Sequence, residues 1–135
     1  MKIVVIDGQG GNLGRQLVKG IKDRFPDTYV RAIGTNSTAT ANMLKAGADE
    51  AATGENAEVV GSRIADVIVG PAGIVIPDAL LGEVTSVMAN AIGSADAQKI
   101  LIPMNRCDVL IAGVQGRSTS ELIDDAVKML CDIIR

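Results

Sequence analysis

The sequence predicts an α/β domain of three layers: a Rossmann-like, mostly parallel twisted sheet with helices on both faces and an antiparallel hairpin at one edge. Short apolar runs alternate with segments of helical period along the 135 residues, the pattern of a sheet wound from strand and helix units. Two of those runs, Lys2 to Ile6 and Asp66 to Val69, pass straight into glycine-rich turns. Hydrophobic residues make up 47% of the chain and charged residues 21%, enough apolar material to bury a sheet on both sides.

Lys2 to Ile6, closed by Asp7-Gly8, reads as a central strand buried on both faces. Leu13, Leu17, Val18 and Ile21 recur at helical spacing, so a first helix runs from about residue 12 to about 24 and stops at Phe25-Pro26-Asp27. Tyr29 to Ile33 is a second strand, and Gly34-Thr35-Asn36-Ser37 offers capping side chains for a short helix that ends before Gly47. Asp49 to Thr53 predicts a short third strand, and Gly54-Glu55-Asn56 opens a brief helix ending near Gly61. Asp66 to Val69 is the fourth strand and leads into Gly70-Pro71-Ala72-Gly73. Leu80, Leu81, Val84, Val87, Met88, Ala91 and Ile92 then follow the helical rule between Pro77-Asp78 and Gly93. Lys99 to Met104 and Val109 to Val114 predict two more strands. Asn105-Arg106-Cys107-Asp108 between them is too short for a crossover, so they pair antiparallel with the second at an edge. Ser118-Thr119-Ser120-Glu121 has capping-box spacing ahead of a closing helix with Leu122, Ile123, Ala126, Val127, Leu130, Ile133 and Ile134. The whole reads as a single domain, residues 1–135.

The composition excludes several function classes. There is no His, which removes His-based triads, His metal sites and imidazole proton shuttles. A net charge of −3 lacks the basic footprint of a nucleic-acid binder. Phe25 and Tyr29 are the only aromatics, so there is almost no surface for stacking bases, and both are expected to form a local core plug. Cys107 and Cys131 are too few for a disulfide framework or a four-Cys zinc site. No apolar run approaches the roughly 18 residues needed to span a bilayer. Met1 leads directly into a strand and not into a cleavable leader. These features predict a reduced, cytoplasmic protein that engages neither membrane nor nucleic acid.

In sheets of this kind the ligand crevice lies outside the carboxyl ends of the strands, where strand order reverses, usually between the first and fourth strands. The sequence places Asp7 to Gly14 and Gly70 to Gly73 at those ends. Gly8, Gln9, Gly10, Gly11, Asn12, Leu13 and Gly14 follow a strand and open a helix, the context in which backbone N–H groups at a helix N-terminus can cradle a phosphate. Gly8 permits the turn, Gly10 and Gly11 allow close backbone approach, and Gly14 lets the helix pack on the strand. The second strand ends without the acid that usually holds an NAD ribose. Thr35, Asn36 and Ser37 at that end could accept a 2′-phosphate instead, which favours NADP. Gly70, Pro71 and Gly73 form the opposite lip, and Asn105 is a candidate amide donor. Against the phosphate reading stands a tight turn whose glycines serve packing alone.

The run GQGGNLGRQL, Gly8 to Leu17, resembles the nucleotide loop of dihydrodipicolinate reductases, which implies a dinucleotide-binding role for Gly8, Gly10, Gly11 and Gly14. The resemblance ends there, since the second domain and the His-containing catalytic segment of those enzymes have no counterpart. Over its whole length the chain resembles a family of short bacterial proteins of unknown function, through IDGQGGNLG, LKAGADEAATGENA, VGPAGIVI and KILIPMN. That likeness implies a common single-domain fold and no particular activity.

No catalytic residue is assigned. Asp7, Glu55 and Glu83 are the acid–base candidates near the crevice. Cys107, beside Arg106, is the nearby thiol, and none of the four has a visible partner. An Asp at the position of Asp7 more often caps its own loop than performs chemistry. The sequence therefore predicts binding of a phosphate-containing nucleotide, with NAD(P) the named candidate. The alternative is a ligand-sensing or structural, oligomer-forming domain without a nucleotide. Apolar residues over a wide arc of the last helix, Met129 among them, predict a homodimer.

Overall fold

The computed structural model describes residues 1–104 and 109–134. In chain order the elements are β1 (Lys2–Asp7), α1 (Asn12–Arg24), β2 (Tyr29–Gly34), α2 (Ser37–Lys45), β3 (Glu50–Thr53), α3 (Glu55–Ile64), β4 (Val67–Pro71), a 3-10 turn (Ala72–Val75), α4 (Ser86–Gly93), β5 (Gln98–Ile102) and α5 (Thr119–Ile134). The strands lie in the order β3-β2-β1-β4-β5, and every neighbouring pair is parallel. β1 is central, and Ile3, Val4, Val5 and Ile6 are all fully buried.

Strand alternation divides the core into two layers. Ile3 and Val5 face Leu17, Val18 and Ile21 of α1, Met43 of α2, and Ile123 and Leu130 of α5. Val4 and Ile6 face the other way, toward Ala57 of α3 and Ile92 of α4. This is the α/β, three-layer Rossmann-like arrangement that the run pattern predicts. Phe25 packs against the first layer, whereas Tyr29 donates its hydroxyl to Glu50.

Two expectations fail. The antiparallel edge hairpin is absent: Val109 to Val114 form no strand, and the Asn105 to Asp108 turn lies outside the described residues. Gly113 and Gly116 take φ values of +87° and +78°, Leu110 is 85% exposed, and an apolar run so placed has neither the backbone nor the burial of a strand. The helix expected from Leu80 begins only at Ser86. Asp78, Leu80, Leu81 and Gly82 have φ of +66°, +56°, +57° and +88°, so the chain turns with left-handed backbone before Thr85 caps α4 by accepting the Met88 N–H. Left-handed backbone costs a side-chain-bearing residue about 1–2 kcal/mol. The turn is closed by Asp78 N–H to the Val84 carbonyl at 2.7 Å and Gly82 N–H to the Asp78 carbonyl at 3.1 Å.

One buried group stands apart. Glu58 of α3 is 1% exposed, and neither carboxylate oxygen has a hydrogen-bond partner among the described residues. Burial first, and the charge of Glu55 second, push its pKa up to about 8, so it is a neutral acid at physiological pH.

Candidate functional site

The reversal of strand order falls between β1 and β4, and the glycine loop fills the gap above β1. Gly11 stands at the N-cap of α1 with φ +71°. A Cβ on it would meet the Ala39 Cα at 2.6 Å, so the close approach of α1 to α2 requires glycine. A Cβ on Gly14 would strike Met43 and the Asp7 side chain, and one on Gly8 would strike Thr35 and Leu80. Gly10 differs: it is exposed, and nothing lies within 4 Å of its Cβ position. Packing explains Gly8, Gly11 and Gly14 but not Gly10.

Asp7 is buried beneath this loop, and its carboxylate accepts the N–H of Gly8 at 2.8 Å and of Gly14 at 2.7 Å. Burial raises its pKa more than these two donors lower it, with a further rise from Glu83. Asp7 is thus a cap for the loop's own N–H groups. The Gly11 N–H is taken by the Gly8 carbonyl. Among the described residues no hydrogen bond reaches the N–H of Gly10, Asn12 or Leu13, and these three remain to face a ligand.

Glu83, from the turn before α4, is the second carboxylate at the loop. Its Oε1 accepts the Gln9 N–H at 2.9 Å, the Asn36 amide at 2.8 Å and the Thr35 hydroxyl. Burial pushes this carboxyl up, but the Thr35, Gln9 and Asn36 donors together outweigh it and hold the group below its ordinary value, hence ionised. Asn36 also caps α2 through the Ala39 N–H and donates to the Gln9 carbonyl, while Asn42 donates to the Gly10 carbonyl. The Thr35 hydroxyl and Asn36 amide expected to meet a 2′-phosphate therefore already donate to a carboxylate. Ser37 opens α2 and takes no part in this network among the described residues.

Two cavities adjoin the loop on its β4–β5 side. One, of about 210 Å³, has polar and apolar lining in nearly equal parts, from Asp7 through Leu13 together with Gln16, Ile102, Pro103 and Thr119. The other, of about 280 Å³, is an apolar slot whose walls include Gly73, Ile76, Ala79, Leu81 and Val109. Gln9, Leu80 and Met104 line both. Gly73 thus reaches a cavity as expected, whereas Gly70 and Pro71 are buried at the end of β4, where a Cβ on Gly70 would strike the Ile6 carbonyl.

Of the other candidates, Glu55 accepts the Thr85 hydroxyl at 2.7 Å and lines neither cavity. Asn105, Arg106 and Cys107 lie outside the described residues. Cys131 is half-buried on α5. Ile123, Ala126 and Leu130 of that helix are buried within the chain, and Leu122, Val127, Ile133 and Ile134 pack against the same layer, leaving Met129 exposed. Leu80, Met104 and Asn42 enter the site without a sequence signal of their own. Among the described residues no cluster of His, Cys, Asp or Glu could hold a metal ion, and no helix is long and apolar enough to cross a membrane.

Comparison with known proteins places the chain in a family. The family described as a domain of unknown function, DUF3842, matches residues 2–135, and the chain belongs to it. No curated protein matches the sequence. Among solved structures the chain is similar to a dodecameric FMN-dependent UbiX-like decarboxylase from Escherichia coli O157:H7, at 14% identity and a TM-score of 0.54, over 99% of this chain and 94% of that one. That likeness is one of fold.

Proposed function

We propose that this member of the DUF3842 family binds a phosphate-bearing nucleotide cofactor at the loop between β1 and α1. The N–H groups of Gly10, Asn12 and Leu13 would hold the phosphate, within a frame set by Gly8, Gln9, Gly11 and Gly14. The apolar slot would take a ring, with Gly73 on one wall, Gly70 and Pro71 supporting the lip, and Thr35, Asn36 and Ser37 on the far side of the loop. The observation that carries this reading is the cavity at the N-terminus of α1, lined by the glycine loop and its unengaged N–H groups, beside an apolar slot that shares Gln9, Leu80 and Met104 with it.

The donor set suits phosphate, being backbone N–H free of any Cβ at Gly10. The fold neighbour is named as FMN-dependent and the loop resembles that of dihydrodipicolinate reductases, so FMN and NAD(P) are the two forms to test. A bound cofactor of either kind supplies the redox chemistry, and this chain's residues bind and orient it. Asp7 is fully engaged in capping, which favours a sensing or carrier role over acid–base catalysis by the chain itself.

Calorimetric titration with FMN, NADPH, NADP, NADH, NAD and ATP tests the reading, alongside Gly10→Val, which places a side chain in open space above the loop and keeps the fold. Saturable binding that Gly10→Val loses is the expected result, and no binding of any titrant refutes it. We further infer a single-domain, cytoplasmic homodimer. Leu81, 86% exposed on the wall of the slot, and Leu110, 85% exposed and next in sequence to the slot residue Val109, are better candidates for a covered surface than α5. A concentration-independent monomer in light scattering would refute the dimer.

A further inference from the structure

In dinucleotide-binding sheets of this strand order, a carboxylate at the end of the second strand accepts the hydroxyls of a ribose. β2 ends in Gly34 and is followed by Thr35 and Asn36, with no acid. The fold nevertheless brings a carboxylate to that place from far along the chain. Glu83 meets the Thr35 hydroxyl, the Asn36 amide and the Gln9 N–H, all on Oε1. Among the described residues no donor reaches Oε2, and the residue is only half-buried. One oxygen is fixed, and the other is left to accept.

The backbone that delivers Glu83 points the same way. Leu81 is held in left-handed conformation while its side chain is almost wholly exposed, so its own packing does not account for the strain. Such strain persists where the surroundings over-determine it, and it concentrates at ligand clamps. The same turn lays Leu80 against Gly8 and ends with the Glu83 N–H on the Leu80 carbonyl at 3.2 Å.

We propose that Glu83 is the sugar-recognising carboxylate of this site: Oε2 accepts the free 2′,3′-diol of a ribonucleotide on the β2 side of the loop, and its charge excludes a 2′-phosphate there. This rests on the loop being a phosphate cradle. The two cavities lie on the β4–β5 side, so a ligand that also reaches Glu83 has groups on both sides of its phosphates. That is the form of a dinucleotide, and NAD is selected over NADP.

The test titrates NADH, NADPH, ADP, 2′-deoxy-ADP and FMN into the wild type, Glu83→Gln and Gly10→Val. The wild type is expected to prefer NADH over NADPH, and ADP over 2′-deoxy-ADP, by about tenfold or more, the scale of a hydrogen bond to a charged group. Glu83→Gln is expected to bring both ratios within about threefold. Glu83→Asp keeps the charge but draws the carboxylate back, and should still reject NADPH while losing the preference for ADP. It replaces the Gln variant if circular dichroism shows that one unfolded. NADPH binding as tightly as NADH in the wild type overturns the proposal, as do ratios unchanged by the substitution. FMN binding that Gly10→Val loses, with no adenine nucleotide bound, overturns the role of Glu83 and leaves the phosphate loop standing. No binding by any ligand overturns both.

Discussion

Glu58 allows the energetics of the fold to be tested apart from any ligand. Its carboxyl is buried in α3 without a partner, and its pKa rises from 4.5 to about 8, through burial first and the Glu55 charge second. Between those two values the native state holds a proton that the unfolded chain has released, so stability falls as pH rises through this window and levels off above it. Each pH unit is worth about 1.4 kcal/mol, so between pH 5 and pH 8 this one group removes about 4 kcal/mol, a large share of the roughly 5–15 kcal/mol that holds a domain together. Glu58→Gln cannot titrate. Urea unfolding followed by circular dichroism at pH 5, 6.5 and 8 should show the variant gaining on the wild type by roughly 2–4 kcal/mol over that range. Asp7, whose pKa is also raised, is present in both proteins and cancels in the difference. Parallel stability curves would mean that Glu58 is solvated or ionised in the native state, and would refute the argument.

Three more outcomes follow from backbone and capping geometry. In protein dilute enough that no second copy covers this residue, Leu81→Gly removes a left-handed side chain that is 86% exposed, and should raise stability by about 0.5–1 kcal/mol; a lower melting temperature there would show that the leucine packs within its own chain. Gly11→Ala should cost about 2–4 kcal/mol, because left-handed backbone and the Ala39 backbone both oppose a Cβ, while Gly10→Ala should stay within about 0.5 kcal/mol of the wild type in the same melts. Asp7→Asn turns an acceptor for Gly8 or Gly14 N–H into a donor, and should cost about 1–3 kcal/mol by denaturant unfolding, with α1 unravelling first in hydrogen exchange.

The parts legible in the sequence are those governed by local pattern. β1 and β4 are buried on both faces and so appear as unbroken apolar runs. α1 and α5 each present a well-defined apolar stripe at the helical period. The turn before α4 was not legible because Leu80, Leu81 and Val84 happen to keep helical spacing with Val87 and Met88, and spacing carries no sign of φ. Val109 to Val114 misled for a related reason, since an apolar run reports burial only when a neighbouring strand exists to bury it. In the site, the glycine loop was visible through its strand-to-helix context. Glu83 could be named as an acid but not placed: its partners Thr35 and Asn36 lie 48 and 47 positions away, and a contact that long leaves no mark on neighbouring residues.

Leu80 lines both cavities and also lies against Gly8. A molecule that displaces this side chain from one cavity alters the wall of the other, so occupancies of the two are thermodynamically linked, and by linkage each affects the other by the same factor. A ring in the slot and a phosphate on the loop therefore need not belong to one molecule to influence each other's affinity. Truncation of this leucine would weaken that link, leaving only Gln9 and Met104 shared between the two cavities.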